Sequence, residues 1–130
     1  MGLDNGIIAR KVNKKDIPTF VKDGYADYKD DVMEVAYWRK CWGIREAMAN
    51  VGHPEDLDVF DFKIEKEDIP AIVRELYKFL DKSYYEENAD SIWEFDEIID
   101  NLFQQIINLK WLEGYMEDHP DVEVEFYDSY

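Results

Sequence analysis

The pattern of apolar and polar residues predicts β-strands at three places along the chain, two of them by alternation and one by a β-branched run. The segment of residues 6 to 12 is short and rich in β-branched side chains. Residues 58 to 64 and 122 to 128 place every second side chain on an apolar face. The apolar members are Ile7, Ile8 and Val12 in the first, Phe60, Phe62 and Ile64 in the second, and Val122, Val124 and Phe126 in the third. Between the first strand and residue 34, residues 13 to 33 are polar and mixed, which predicts a loop or a helical turn.

A broad apolar arc from Glu34 to Val51 predicts the helix around which the rest of the chain packs. Glu34 and Arg45 fall within that arc. Because an isolated buried charge costs several kcal/mol, we expect each of them to meet a polar partner or to reach the rim of the core. Gly52 is predicted to end this helix with a left-handed cap.

Two further helices are predicted, over residues 66 to 81 and from Ser91 until Asp118-His119-Pro120 stops the second. In the second, the expected buried arc contains Ile92, Phe95, Ile98, Ile99, Leu102, Phe103, Ile106, Ile107 and Leu109. The expected solvent arc contains Glu94, Glu97, Asn101, Gln104, Gln105 and Asn108. The phase fails beyond Leu109, so the helix either kinks there or runs past the sheet and offers Trp111, Leu112, Tyr115 and Met116 to another surface, such as a homodimer contact. The alternative is that residues 13 to 33 fold over that end.

These elements predict one α+β domain over residues 1 to 130, with three helices packed on one face of a small antiparallel sheet of three strands. The sheet is expected to use about residues 6 to 12, 58 to 64 and 122 to 128. The other face of that sheet would then be open to solvent.

The charge of the chain narrows the range of partners. The net charge is −16, and it is uneven: residues 1 to 53 carry nine Lys and Arg against eight Asp and Glu, while residues 54 to 130 carry six against 23. Direct binding to nucleic acid or to an anionic membrane is disfavoured, because both need surplus cations. A basic protein surface is the natural electrostatic complement. Acidity that only keeps a small domain soluble is the alternative.

No run of apolar residues is long enough to span a membrane, and the single cysteine, Cys41, excludes an internal disulfide. The single cysteine leaves the redox compartment open, with a reducing cytoplasm favoured. Catalytic signatures are missing from the sequence, since it has two histidines, no glycine-rich phosphate loop and no paired metal-ligand spacing. We therefore expect a protein that is not an enzyme and that uses no cofactor or metal.

Two candidate sites follow from the pattern. The first is an acidic partner-binding surface on the open sheet face and the third helix, formed by Asp61, Glu123, Glu125, Tyr127, Asp96, Glu97 and Asp100. Acids spaced along strands and helices imitate a row of phosphates. The second is a site for a nucleotide-like small molecule at Trp38, Trp42, Arg45 and Arg39, since arginine and aromatic planes recognise bases and phosphates.

Three short segments resemble a group of small, uncharacterised phage and prophage proteins. They are Met1-Gly2-Leu3-Asp4, the segment Glu34-Val35-Ala36-Tyr37-Trp38-Arg39-Lys40, and the terminal Tyr127-Asp128-Ser129-Tyr130. Arg45 and Ala47 depart from the group, which has His and an aromatic residue there. The resemblance implies a phage origin and supplies no activity. The leading hypothesis is thus an acidic phage protein that binds a basic, nucleic-acid-binding host protein in the cytoplasm, as an anti-CRISPR or anti-restriction inhibitor. A nucleotide-like ligand binder and a structural or metabolic phage domain are the alternatives.

Overall fold

The computed structural model describes residues 4–22, 28–29, 32–39, 42–53, 61–80 and 93–129. Its strands are β1 (Asp4–Arg10), β2 (Tyr28–Lys29), β3 (Val32–Arg39), β4 (Phe62–Ile64) and β5 (Glu123–Ser129). Its helices are α1 (Thr19–Lys22), α2 (Trp42–Gly52), α3 (Ile69–Lys78) and α4 (Trp93–Asp118). Short 3-10 turns at Lys14–Asp16 and Lys66–Asp68 precede α1 and α3.

The strands form one antiparallel sheet in the order β2-β3-β1-β5-β4. The α+β class is confirmed, but the prediction of three strands is wrong. Strands predicted near residues 6, 58 and 122 correspond to β1, β4 and β5, and residues 54–60 lie outside the described part of the chain. The sheet also contains β3, a full strand that was not predicted. The two residues of β2 pair with Val32 and Met33 of β3.

The predicted helix from Glu34 to Val51 is wrong in its first half, because β3 occupies residues 32 to 39. The pairing with β1 shifts by one residue between Ile7 and Ile8, which leaves Val35 as the extra residue of a bulge. Val35 and the next residue, Ala36, are therefore both buried. The bulge interrupts the alternation that marks a strand, and the true helix, α2, begins only at Trp42.

The core lies between the sheet and the helices. Ile7, Ala9, Val124 and Phe126 point inward from the sheet and are fully buried, or nearly so. On this side α3 packs against α2 and α4, and α4 also contacts β3. The side of the sheet that faces the helices is called the inner face below.

Close packing at the end of α2 explains why residue 52 is a glycine. A Cβ on Gly52 would lie 2.5 Å from the ring of Phe62, which itself stacks on Phe126 at 5.3 Å. Gly52 is the last helical residue, and His53 takes the left-handed conformation with φ of 50°. The predicted left-handed cap at Gly52 is therefore wrong: glycine is needed here for space rather than for its φ angle.

Helix α4 runs as one helix from Trp93 to Asp118, past the predicted break in apolar phase near Leu109. Leu112 and Tyr115 belong to the core, and Trp111 and Met116 pack against it. The turn before α1 covers this end, because the Tyr115 hydroxyl donates to Asp16 Oδ2 at 2.7 Å and accepts from the backbone N–H of Asn13 at 3.2 Å. These contacts match the alternative in which residues 13 to 33 fold over α4, and they give no support to a dimer contact through Trp111, Leu112, Tyr115 and Met116.

The predicted buried arc of α4 is also partly wrong. Phe103 and Ile107 are 54% and 41% exposed, whereas Gln105 and Asn108, expected in solvent, are buried. The helix is thus turned so that two carboxamides face the sheet.

Candidate protein-binding face

The solvent side of the sheet, called the outer face here, is set by the strand register. Cross-strand partners share a face, and the inward set is buried, so the alternate residues point outward. The outer face consists of Val32, Glu34, Tyr37, Gly6, Ile8, Arg10, Glu123, Glu125, Tyr127 and Lys63. All helices of the described segments that contact the sheet lie on its other side.

The predicted partner-binding residues of β5 lie on this face. Glu123, Glu125 and Tyr127 alternate with the buried Val124 and Phe126. Asp61 precedes β4 and accepts a hydrogen bond from the backbone N–H of Asp128 at 3.0 Å, so it also fastens the sheet edge. The other predicted acids, Asp96, Glu97 and Asp100, belong to the first turns of α4, and their side chains lie outside the described part.

Cations at the end of β1 pair with two of these acids. Arg10 Nη1 lies 2.8 Å from Glu125 Oε1, and Lys11 Nζ lies 3.5 Å from Glu123 Oε1. All four side chains are at least 39% exposed, so each pair contributes little to stability. The face therefore carries mixed charge rather than a continuous row of negative charge.

Tyrosines frame the middle of the outer face. Gly6 pairs with Tyr37 on one side and with Tyr127 on the other. A Cβ on Gly6 would lie 2.5 Å from the carbonyl oxygen of Ala36 and 3.0 Å from the Tyr127 hydroxyl, so the Tyr127 ring reaches across the glycine. Tyr37 is 42% exposed. The exposed Tyr37 and the half-buried Tyr127, with charged groups around them, resemble the aromatic centre and polar rim of protein interfaces.

A stronger concentration of acid lies at the end of the molecule where α3 begins and α4 ends. Lys66 forms an ion pair with Glu117, and Glu67 and Glu113 are close enough to act on it electrostatically. The hydrogen bond from Lys66 to Glu117, followed by these charges, raises the pKa of Lys66. One cation therefore serves several carboxylates, and this end retains a negative potential.

Residues of the predicted nucleotide-like site are occupied by other contacts. Trp38 is buried, and its indole N–H donates to Gln105 Oε1 at 2.9 Å. Arg45 binds the carboxylate of Asp128 through Nη2 at 2.8 Å and Nε at 2.9 Å. The expectation that Arg45 has a polar partner is confirmed, and an incoming phosphate would compete with Asp128. The side chains of Trp42 and Arg39 are outside the described part.

An amide-lined pocket of about 140 Å³ lies where α4 crosses the edge of β3. Its lining is Glu34, Val35, Ala36 and Tyr37 of β3 with Asn101, Gln104, Gln105 and Asn108 of α4. Glu34, which is half-buried, thus reaches the rim of the core as expected. Sequence reasoning missed this pocket by placing the carboxamides in solvent. The available signal was that this stretch of the polar arc carries amides where an exposed helix would carry charges.

Two carboxamides hold the pocket in shape. Gln105 Nε2 donates to the carbonyl of Tyr37 at 3.2 Å, and Asn108 Nδ2 donates to the carbonyl of Val35 at 3.1 Å. Gln104 Nε2 donates to Asn108 Oδ1 at 2.9 Å and to the carbonyl of Phe20 at 2.8 Å. These hydrogen bonds therefore attach the side chains that line the pocket to the backbone of β3 and of α1.

Tyr115 is the centre of a further polar cluster. Its ring stacks on His119 at 3.8 Å, and His119 Nε2 lies 4.0 Å from Asp16 Oδ2. Burial, and then the hydrogen bond to Asp16, raise the pKa of Tyr115. A phenol with a raised pKa is a poor nucleophile at neutral pH, so the cluster serves to fasten the turn before α1.

Within the described ranges, no three His, Cys, Asp or Glu side chains are grouped to hold a metal ion. Nor is any helix in those ranges long and apolar enough to cross a bilayer.

No protein-family profile matches the chain, and neither the curated proteins nor the solved structures contain a significant match.

Proposed function

We propose that this chain is a non-enzymatic, phage-encoded protein whose outer face binds a basic, nucleic-acid-binding protein of the host. In this proposal Tyr37 and Tyr127 anchor the contact, Glu123 and Glu125 contribute to its charged rim, and binding blocks the partner's nucleic-acid surface. An anti-CRISPR or anti-restriction role in the host cytoplasm is the form we propose.

The observation that carries the proposal is an outer face that combines tyrosines at its centre with exposed charged side chains. Tyr37 is 42% exposed, and the side chains of Glu123 and Glu125 are 55% and 39% exposed. Tyrosine supplies a large contact area at a low cost in conformational entropy. The net charge of −16 would steer a basic partner towards the protein and speed association.

The test is capture from a bacterial lysate followed by quantitative binding of the captured protein. The variant combines Tyr37→Ala, Glu123→Lys and Glu125→Lys. The control combines Tyr77→Ala, Glu46→Lys and Asp118→Lys, which changes the net charge equally. Tyr77 matches Tyr37 in exposure, at 44% against 42%, and Glu46 and Asp118 are exposed residues outside the outer face.

We expect the outer-face variant to lose at least about tenfold in affinity, with a weaker dependence on salt, while the control stays within about threefold. The captured protein should also release a DNA duplex when the wild-type chain is added. Equal binding by the two variants, or a partner that binds DNA and this chain at the same time, would contradict the proposal.

A further inference from the structure

We propose that the groove between α3 and α4 binds a small aromatic monocarboxylate. The groove encloses about 450 Å³, and its lining consists of Pro70, Val73, Arg74 and Tyr77 of α3 with Lys110 and Glu113 of α4. None of these residues belongs to the outer face, and both helices lie on the other side of the sheet. The inference therefore goes beyond the proposed function and does not depend on it.

Side chains form the α3 wall of the groove. Residues 70, 73, 74 and 77 follow the i, i+3, i+4, i+7 spacing, which places them on one face of the helix. Val73 is buried and forms the floor, whereas Arg74 and Tyr77 are exposed. This wall thus combines an apolar base with a cation and a phenol ring at the rim.

A hydrogen bond fixes the direction of the Lys110 side chain. Lys110 Nζ donates to the Tyr77 hydroxyl at 3.0 Å and lies 5.3 Å from the centroid of its ring. Because Lys110 and Tyr77 belong to opposite walls, this contact brings the ammonium group across to the α3 side. An ammonium group has three N–H donors, so two of them remain for a ligand.

No carboxylate is paired with either cation of the groove within the part of the chain that the structure describes. This is notable because the chain has 31 Asp and Glu against 15 Lys and Arg. Six other cations do form ion pairs with carboxylates: Arg10, Lys11, Arg45, Lys63, Lys66 and Lys78. Two unpaired cations on one groove favour an anionic ligand, since a charge-assisted hydrogen bond is about twice as strong as a neutral one.

Charge, shape and size define the class of ligand. Arg74 and Lys110 contribute two positive charges and Glu113 one negative charge, so the lining has a net charge of +1, which suits a monoanion better than a phosphate dianion. The Tyr77 ring is 44% exposed and stacks on no other aromatic ring of the described residues, so it can receive an aromatic group. A volume of about 450 Å³ lies within the range of about 300 to 1,000 Å³ that small-molecule sites span.

The test is an NMR titration of the protein with naphthaleneacetate, compared with its neutral counterpart naphthaleneacetamide. We expect the carboxylate to shift the backbone amide signals of Val73, Tyr77 and Lys110, with a dissociation constant of about 0.1 to 1 mM. The neutral compound should bind at least about tenfold more weakly, because it forms no charge-assisted hydrogen bond with the two cations. Naphthyl phosphate, a dianion with the same ring system, should bind no more tightly than the carboxylate.

Two lysine variants with the same change of charge locate the site. Lys110→Met should weaken the binding of naphthaleneacetate at least about fivefold, and Arg74→Gln should have a similar effect. Lys78→Met removes another exposed lysine, which lies on α3 outside the groove, and should change the binding by less than about twofold. Thermal unfolding of each variant checks that the fold is kept.

Equal binding of the carboxylate and the neutral compound, or an equal loss in Lys110→Met and Lys78→Met, would overturn the proposal. The same holds if no signal shifts at about 20 mM naphthaleneacetate, or if the shifts are centred on the exposed Phe103 and Ile107 of α4. Tighter binding of naphthyl phosphate would overturn the assignment of a monocarboxylate. The wild-type titrations decide these points even if a variant folds poorly. None of them depends on the capture of a host protein, so this proposal and the proposed function can fail separately.

Discussion

The guanidinium of Arg45 in α2 lies 2.8 Å from the carboxylate of Asp128 in β5, and the Asp128 side chain is fully buried. Removing one member of a buried ion pair leaves the other charge without its partner, which costs about 3 to 5 kcal/mol. We predict that Arg45→Met lowers the free energy of unfolding by about 3 kcal/mol, measured by urea denaturation.

A double variant separates the ion pair from simple packing. Arg45→Met with Asp128→Leu should recover most of the loss, because two apolar side chains can replace a buried pair. As a control, Arg10→Met breaks the partly exposed pair with Glu125 and should cost less than about 1 kcal/mol. A double variant no more stable than Arg45→Met would show that the charge is not the source of the loss.

The contact also shows what sequence reasoning could reach. An arginine within an apolar arc predicted that Arg45 needs a polar partner, but Asp128 is 83 residues away, and only the sheet register brings it near. The same limit explains β3: its bulge at Val35 removes the alternation that identified β4 and β5. Local patterns predicted α3 and the strands β1, β4 and β5.

A pair of glycines in helices gives opposite predictions for the same substitution. Gly114 lies in α4 and is exposed, and a Cβ added there would meet no atom of the described residues within 4 Å, whereas a Cβ on Gly52 would lie 2.5 Å from the Phe62 ring. Gly114→Ala should raise the free energy of unfolding by about 1 kcal/mol through helix propensity. Gly52→Ala should lower it by about 1 to 3 kcal/mol, because the ring must move within a packed core. Thermal unfolding of both variants checks the signs, and a stabilised Gly52→Ala would refute the packing at Phe62.

Tyr115 should make the protein less stable at alkaline pH. Its folded-state pKa is raised above the value of about 10 for an unfolded chain, by burial and then by the hydrogen bond to Asp16. Between these two pKa values the unfolded chain has released a proton that the folded chain keeps, so the free energy of unfolding falls as the pH rises. This contribution is complete below about pH 10 and is lost as the pH rises through the folded-state pKa.

The variant that isolates this effect is Tyr115→Phe. It should cost about 1 to 2 kcal/mol at neutral pH, because the hydrogen bonds with Asp16 and Asn13 are lost. It should also flatten the decline of stability between about pH 9 and about pH 11. Urea denaturation across that pH range measures both the loss at neutral pH and the alkaline decline. If stability declines as steeply in the variant as in the wild type, other groups are the cause of the decline.

The candidate site was predictable only in part, for a physical reason. Alternation along one strand placed Glu123, Glu125 and Tyr127 on the open face, since that pattern is local. Arg10 of β1 and Lys63 of β4 lie opposite Glu123 and Glu125, and their positions depend on cross-strand register. The carboxamides of α4 were misplaced because a helical wheel ranks residues by polarity, and Gln105 and Asn108 are buried with their hydrogen bonds made to β3.

The last prediction concerns Asn5, the polar residue on the inner face between Trp38 and Asp128 in the strand register. Asn5 is fully buried, and within the described part of the chain neither side-chain amide atom has a hydrogen-bond partner. A buried amide without partners costs about 1 to 3 kcal/mol. Asn5→Leu should therefore leave stability unchanged or raise it by about 1 kcal/mol, whereas Asn5→Ala should lower it by opening a cavity. Urea denaturation of both variants, compared with that of the wild-type protein, tests these two expectations. If Asn5→Leu instead costs more than about 2 kcal/mol, the Asn5 amide forms hydrogen bonds in solution that stabilise the fold, and the prediction is wrong.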